Sequence, residues 1–408
     1  MTTTRQDAAG LPYAGIRVVD FSRLLPGGWC SQMLADCGAE VIKVEHPDGG
    51  DYSRQNPPHF KTSGVYYNGV NRNKRSVTID LKTPAGQAAV RPLLEGADVV
   101  LESFRTGVAA RLGIGYESVK AYNPGVIHCA ITGFGQTGSL ADKPGHDLNI
   151  QGLTGLMGVG LKDGELPRVP GLQGADYAGA TMACIGIMAA LARRAKSGEG
   201  CCLDISMFDS LLSMCNIVSG AAISRLAGGS GEPALQSWGG NPRYAVYATS
   251  DGKAVTVSLL ETKFWRMFCQ AIGRPELVDE NEGPEARLTD HGDNSALYRQ
   301  AVADHCARHA RDDLVRNMHG LGIPVFPVLD PDEALQQGVV RERGMLEEID
   351  HPLEGPIPQL GNPLSLAGLA RTRRLAAPEL GADNETILGR SASPTILGGS
   401  ASPGGEPE

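Results

Sequence analysis

Two side chains that handle protons, His146 and Asp176, lie in small-residue loops of this 408-residue chain. Residues 144–149 read Pro-Gly-His-Asp-Leu-Asn, and Asp176 comes just before an apolar run, residues 181–190, that predicts a helix. Histidine titrates near neutrality, and the free N–H groups at a helix start favour the charged form of a carboxylate. If the two side chains face each other, they form a device for moving a proton. A structural interpretation stays open on spacing alone, in which Asp176 caps the helix and His146 bonds its loop.

The first predicted elements follow the order strand, glycine turn, helix, strand. Residues 15–21 and 39–45 are short apolar runs rich in β-branched residues, and they flank a Pro-Gly-Gly turn at 26–28 and a helix at 29–37. This order opens a βαβ unit. The turn lacks Gly-x-Gly-x-x-Gly, so we infer no nicotinamide cofactor.

The rest of the chain alternates strands and helices. His128 falls within a predicted apolar strand, which favours a core histidine. Strands are predicted at 77–81, in 97–107, in 127–138 and in 201–209, the last leading into 210–218. A hairpin is predicted around Asp-Gly at 245–258; its second strand runs into 259–265, and a helix follows through 272. Helices are also predicted in 189–195, 295–310 and 311–321. We therefore predict a large domain over residues 1–225, completed by about 340–387, a small domain over 235–330, and a disordered Ser/Gly/Pro-rich tail over 388–408.

Composition narrows the functional class. The net charge of -9 argues against non-specific nucleic-acid binding, so an anionic ligand needs a local cluster of Lys and Arg. We expect a cytoplasmic protein, because the sequence shows neither a signal-peptide core nor a run of membrane-spanning length. Nine cysteines without metal-ligand spacing predict reduced thiols and no metal site.

A basic cluster, Arg72, Lys74 and Arg75, precedes the strand predicted at 77–81. Such a cluster is either a solvated sheet edge or a site for an anion such as a phosphate. The residues themselves leave both interpretations open.

Longer stretches resemble a known family. Residues 34–45 (Leu-Ala-Asp-Cys-Gly-Ala-Glu-Val-Ile-Lys-Val-Glu), residues 144–149 and the Gly-Ala-Asp at 174–176 resemble the family III CoA-transferases of the CaiB/BaiF type, which include the α-methylacyl-CoA racemases. The resemblance covers roughly residues 13–370. It implies an α/β fold, with a Rossmann-like large domain and a smaller α+β domain, in an interlocked homodimer. It also implies an acyl-CoA thioester as substrate, so coenzyme A is part of the substrate and no separate cofactor is expected.

The resemblance also implies roles for particular residues. His146 and Asp176 would be the two proton carriers, braced by Asp147 and Asn149, and the start of the helix after Asp176 could stabilise the thioester oxygen. Glu261, in a Leu-Glu-x-Lys-Phe-Trp phrase like that of the racemases, would come from the partner chain and hold the His146 imidazole. Contacts to CoA are expected from Lys43, Arg72, Lys74, Arg75, Ser103, Phe104, Arg105 and Arg111.

Two reactions fit this resemblance. His146 and Glu261 favour racemisation of 2-methylacyl-CoA thioesters through an enolate, because inversion needs a proton carrier on each face of the α-carbon. The alternative is CoA transfer between carboxylic acids, with Asp176 forming a mixed anhydride. Ile150, where the racemases often have tyrosine, and the Gln-x-x-x-x-Leu-Met phrase at 151–157 lean towards the transferases. A CoA-binding protein without chemistry is a third hypothesis.

The acyl group is not determined by these motifs. Four methionines could line an adaptable apolar surface for a fatty or sterol side chain, or they could be ordinary core residues. They are Met157, Met182, Met188 and Met207.

Overall fold

The computed structural model of the protein describes residues 10–161, 164–283, 285–371 and 374–389. Contacts divide the chain into two units. The first unit comprises Met1–Thr154, Pro170–Met214 and Gly338–Glu408, and the second comprises Gly155–Val169 and Cys215–Gln337. The domain borders predicted from the sequence lie at 225–235 and 330–340. The predicted tail, residues 388–408, lies outside the described residues from residue 390 onward.

A six-stranded sheet forms the centre of the first unit. Its strands are β1 (Arg17–Asp20), β2 (Glu40–Glu45), β3 (Lys74–Thr78), β4 (Val99–Glu102), β5 (Ile127–Thr132) and β6 (Cys201–Ser206). Every neighbouring pair is parallel, and the spatial order is β3-β2-β1-β4-β5-β6. This is the doubly wound order of Rossmann-like folds, so the predicted fold class is confirmed.

Burial explains why these runs are strands. β1, β4 and β5 are buried along almost their whole length, as parallel strands covered on both faces require. His128 within β5 is 2% exposed, and its Nε2 lies 3.1 Å from the Ile114 carbonyl oxygen. Burial lowers the pKa of His128, which confirms a neutral core histidine.

Helices cover this sheet and complete the unit. They are α1 (Leu24–Asp36), α2 (Val65–Asn71), α3 (Pro84–Glu95), α4 (Val108–Arg111), α5 (Tyr116–Lys120), α6 (Asp147–Leu153), α7 (Gly174–Ser197) and α8 (Met207–Met214). Toward the end of the chain, α14 (Gly338–Glu342), the antiparallel pair β10 (Leu346–His351) and β11 (Gly355–Leu360), and α15 (Asn384–Leu388) belong to the same unit.

Three predicted boundaries are wrong. The Pro-Gly-Gly stretch expected as a turn lies in the first turn of α1, where proline is tolerated because its missing N–H would be unpaired anyway. β3 begins at Lys74, so the basic cluster enters the sheet instead of preceding it. α7 begins at Gly174, so Asp176 lies inside its first turn instead of before the helix.

Helix α7 runs for 24 residues beside the site described below. Within the described ranges it is the helix long and apolar enough to span a membrane by length and composition. It packs against α1 and α8 in the first unit, and 39% of its most apolar window is buried, so length and composition alone do not make it a membrane span. Gly198, with φ 75°, ends the helix, with Arg194 and Lys196 in its last turn.

The second unit has its own core. The predicted hairpin is present as β7 (Tyr244–Ala248) and β8 (Ala254–Ser258). The third strand of this sheet, β9 (Val325–Pro327), pairs antiparallel with β8. Its helices are α9 (Gly220–Leu226), α10 (Thr262–Ala271), α11 (Ser295–Cys306), α12 (Arg311–Gly320) and α13 (Pro331–Leu335). Trp265 and Phe268 of α10 stack within this core, with ring centroids 6.0 Å apart.

Candidate active site

A cavity of about 250 Å³ lies in the first unit, where β1 and β4 run side by side but their chains continue to opposite sides of the sheet. The segments that follow β1, β4 and β5 line it: Arg23 and Leu24, residues 103–106, and residues 132–134. This is the topological switch point at the carboxyl ends of parallel strands, the usual ligand site of doubly wound sheets. His146 and Asp176 both line the cavity, so the structure brings the two predicted proton carriers to one site.

His146 is the residue immediately before α6 and is exposed. Its backbone N–H donates to the Asn149 side-chain oxygen at 3.1 Å, which fixes the start of the helix. A Cβ at Gly145 would come within 2.8 Å of the Phe134 ring, so glycine is required beside this histidine. The Gly-His pair of the sequence therefore reflects the close approach of this loop to the loop after β5.

Asp147 joins the loop of His146 to the helix of Asp176. Its Oδ1 accepts the backbone N–H groups of Ala175 and Asp176 at 2.7 and 3.2 Å. Its Oδ2 accepts from the Gln151 amide at 2.6 Å. The free N–H groups at the start of α7 are thus bonded to Asp147, and they are not free for a substrate oxygen as we expected from the sequence.

Asp176 is partly buried and lines the cavity. Burial, and secondarily the charge of Asp147, raise its pKa to about 7. The expectation that the helix start would hold Asp176 in the charged form is therefore wrong, because Asp147 takes the helix N–H groups. At neutral pH both forms of the Asp176 carboxyl are populated, so it can take up a proton or attack as a carboxylate.

Glu261 belongs to the second unit, where it directly precedes α10. It is exposed, and its backbone carbonyl accepts from Phe264 and Trp265 at 2.9 and 3.1 Å. Its role in holding the imidazole of His146 stays a prediction.

Three of the predicted phosphate ligands are interior residues. The Lys43 ammonium is fully buried, pairs with Asp51 at 2.9 Å and donates to the Ser22 carbonyl at 2.8 Å. Lys74 is also buried; its Nζ donates to the Asn71 side chain at 2.7 Å and lies 3.4 Å from an Asp20 carboxylate oxygen.

Arg72 is 3% exposed and pairs with buried Asp36 at 2.7 Å. Because burial and internal carboxylates already occupy Lys43, Lys74 and Arg72, we withdraw the prediction that they contact phosphates.

The buried Lys43–Asp51 pair instead shapes the cavity wall. Leu24 has a left-handed backbone, φ 59°, which is unfavourable for a leucine. Its N–H donates to both oxygens of the Asp51 carboxylate, each at 3.2 Å. Strain of this kind persists only where surrounding bonds hold it, and it clusters at functional sites.

The other predicted CoA contacts are distributed unevenly. Ser103, Phe104 and Arg105 line the cavity, and the Ser103 hydroxyl accepts the Arg23 N–H at 3.0 Å. Arg75 pairs at the sheet edge with Glu40 and Asp383, at 3.3 and 2.9 Å. Arg111 is exposed at the end of α4, outside the cavity lining.

Sequence reasoning missed three cavity residues, Arg23, Tyr66 and Lys143. The Arg23 guanidinium lies 5.1 Å from the Tyr52 ring centroid and 5.5 Å from that of Phe104. Its position directly after the first strand of a βαβ unit was the available signal, because that loop reaches the switch point. Tyr66 carried no comparable signal, since it lies in a helix far from the motifs in sequence.

Comparison with known proteins identifies the class. Residues 13–384 match the model of CoA-transferase family III, so the chain belongs to this family. It is 33% identical over 390 residues to a succinate–glutarate CoA-transferase of Agrobacterium fabrum, covering 92% of this chain and 95% of that one. It is 31% identical over 379 residues to the human alpha-methylacyl-CoA racemase, covering 92% of each chain.

A solved structure agrees with the fold. The crystal structure of a CaiB/BaiF family protein from Brucella suis superimposes with a TM-score of 0.78 at 30% identity, covering 92% of this chain and 98% of that one. The predicted family is therefore confirmed. The protein is an enzyme of the group that contains family III CoA-transferases and related racemases.

Proposed function

We propose that the protein transfers coenzyme A between carboxylic acids, with Asp176 as the carboxylate that carries the exchanged groups. The observation that carries this proposal is that Asp176, partly desolvated and with a pKa raised to about 7, lines the switch-point cavity. Relatives named as CoA-transferases are at least as similar to the chain as the relative named as a racemase. This reverses the order of preference that the sequence motifs suggested.

The reaction proceeds through covalent intermediates on Asp176. The carboxylate adds to the carbonyl carbon of the donor thioester, the C–S bond breaks, and an aspartyl–acyl anhydride forms as CoA leaves as the thiolate. The thiolate then attacks the aspartyl carbonyl, which releases the donor acid and leaves an aspartyl–CoA thioester. The acceptor carboxylate then attacks the aspartyl–CoA thioester, which forms an aspartyl–acceptor anhydride and releases the CoA thiolate. The thiolate attacks the acceptor carbonyl, which forms the new acyl-CoA and frees the Asp176 carboxylate.

Cations at the cavity suit the phosphates of CoA. Arg23, Arg105 and Lys143 line it, and Lys143 is exposed. In a chain of net charge -9, this local group supplies the positive field that an anionic ligand needs. We propose these residues, with Ser103 and Phe104, as the CoA contacts.

Racemisation of 2-methylacyl-CoA thioesters is the second candidate, and one observation favours it. His146 lines the same cavity as Asp176, so the site holds two side chains of types that can carry a proton. Transfer through Asp176 has no need of the imidazole. In the racemase, the two groups would serve opposite faces of the α-carbon.

Incubation with one enantiomer of a 2-methylacyl-CoA in deuterated water separates the two reactions. Transfer predicts a new thioester that forms when an acceptor acid is present, with no deuterium at the α-carbon. Racemisation predicts α-deuterium and inversion without any acceptor. His146→Ala should leave transfer almost unchanged but lower racemisation by on the order of 100-fold or more.

An intertwined dimer is part of the racemase candidate, because Glu261 lies in the second unit. Co-refolding of His146→Ala with Glu261→Ala would then restore part of the lost racemisation, since one hybrid site per dimer is intact. If proven mixed dimers recover nothing, Glu261 does not act across the dimer.

A further inference from the structure

A second cavity of about 460 Å³ opens in the first unit beside the one that holds Asp176. Most of its wall is aromatic or aliphatic: Leu25, Trp29, Met33, Val70, Tyr177 and Leu360. The Trp29 and Tyr177 rings meet edge to face with centroids 5.8 Å apart. Its volume and lining are those of a small-molecule pocket, and the steps proposed above use none of these side chains.

Tyr66 connects the two cavities, because its side chain lines both. The first turn of α1 is shared in the same way: Leu25 lines the second cavity, and its neighbours Leu24 and Pro26 line the first. Tyr66 lines the first cavity together with Asp176, and burial and then the charge of Asp176 raise the pKa of this tyrosine. The second cavity therefore begins next to Asp176.

The second cavity offers no free charge to a ligand. Among the described residues that line it, Arg72 is the charged one, and its guanidinium is paired with buried Asp36 at 2.7 Å. The Gln32 amide donates to the Gly69 carbonyl at 3.0 Å and accepts the Arg72 N–H at 3.1 Å. A carboxylate that entered here would lose hydration and, among the described lining residues, meet no unpaired cation to offset that loss.

We propose that this second cavity binds the acyl group of the substrate, and that this group is apolar, either a branched chain or an aromatic ring, and not the half of a dicarboxylic acid. The inference rests on the proposed function, in which Asp176 attacks the thioester carbonyl. The second cavity would hold the chain attached to that carbonyl. It separates this protein from relatives whose names specify succinate and glutarate.

Thioether analogues of CoA test the cavity without any reaction, because they have no carbonyl for Asp176 to attack. We expect S-octyl-CoA to bind roughly 100-fold or more tightly than S-ethyl-CoA, since each methylene that enters an apolar pocket contributes roughly a fourfold gain. S-(carboxypentyl)-CoA should bind no better than S-ethyl-CoA. Isothermal titration calorimetry measures all three dissociation constants.

Gly69 offers a variant that fills the cavity. It lies in α2 and lines the second cavity, and a Cβ built on it meets no atom within 4 Å. Gly69→Leu should therefore fold normally, because leucine is a better helix former than glycine. We expect it to remove most of the affinity gained by the octyl chain and to leave S-ethyl-CoA within twofold, whereas the control Gly69→Ala should retain the gain.

Equal binding of the octyl and ethyl analogues would overturn the proposal, as would an octyl advantage that survives in Gly69→Leu. The cavity would instead be an interface between copies of the chain under two results together: the parent shows no octyl advantage, and Gly69→Leu changes the oligomeric state measured by sedimentation. The proposed function fails separately, if acyl-CoA esters that bind well are turned over with no acceptor acid.

Discussion

Asp176→Asn should inactivate the enzyme and at the same time stabilise it. The carboxyl is partly buried, and burial followed by the charge of Asp147 raises its pKa from 3.8 to about 7. A group whose pKa is higher in the folded state binds more protons there, so stability falls as pH rises through the window from about 4 to about 7. Asparagine has the shape of the protonated acid and escapes this penalty.

The size of the effect follows from the pKa shift. A shift of about three pKa units corresponds to about 4 kcal/mol once both states are ionised, at 1.36 kcal/mol per unit. We expect Asp176→Asn to raise the free energy of unfolding by about 2 to 4 kcal/mol near pH 8. At about pH 5.5 the gain should be about 2 kcal/mol smaller, because the folded carboxyl is then still protonated.

Urea denaturation of parent and variant at the two pH values measures this difference. Asp142→Asn is the matched control, since its carboxylate is exposed and its replacement should change stability by less than about 0.5 kcal/mol. An Asp176→Asn variant that is no more stable than the parent near pH 8 would refute the argument, because the carboxyl would then carry no burial penalty.

Three further predictions concern the same unit. The pH profile of kcat/KM should fall about tenfold between its plateau and pH 6, because about a tenth of Asp176 is ionised one unit below its pKa of about 7; a limb near pH 4 would exclude Asp176 as the ionising group. Lys74→Met should lower the free energy of unfolding by about 3 to 5 kcal/mol, since it breaks a buried ion pair. Arg75 is only partly buried, so Arg75→Gln should lower it by about 1 kcal/mol or less. If Lys74→Met has normal stability and a raised KM, Lys74 contacts the phosphates after all. Arg23→Gln should raise KM for CoA esters by about tenfold, because one charge-assisted hydrogen bond is lost. The control Arg17→Gln lies at the opposite end of β1 and should leave KM unchanged.

Much of the fold could be predicted from the sequence because its strands are buried on both faces. β1, β2 and β5 are short buried runs that are rich in Val and Ile, and each was predicted within a few residues. The start of α7 was missed because Gly174 is a poor helix former and precedes the apolar run that indicates the helix. The N–H groups of Ala175 and Asp176 are held there by Asp147, a contact between residues almost thirty positions apart.

The site was predictable in its reacting groups and not in its charges. His146 and Asp176 were recognisable from residue type and local motif, and they do line one cavity. Lys74 of the basic cluster was misinterpreted because a solvated edge and a phosphate site both require an accessible side chain, whereas Lys74 is buried against Asp20. Only the sheet order shows which carboxylates lie beneath these lysines, and sequence spacing does not contain it.

The pairing of Lys43 with Asp51 shows the same limit. The two residues are close in sequence, but the role of the pair is to hold the left-handed backbone conformation of Leu24. No residue pattern predicts that conformation, because it is unfavourable for leucine.

Oxygen-18 transfer to Asp176 tests the central proposal most directly. If the acceptor acid attacks an aspartyl–CoA thioester and CoA then attacks the acceptor carbonyl, one acceptor oxygen remains on the aspartate. Turnover with a carboxylate acceptor labelled with oxygen-18, followed by proteolysis and mass spectrometry, should therefore show the label in the peptide that contains Asp176. Turnover that leaves this peptide unlabelled would contradict Asp176 as the group that carries the exchange.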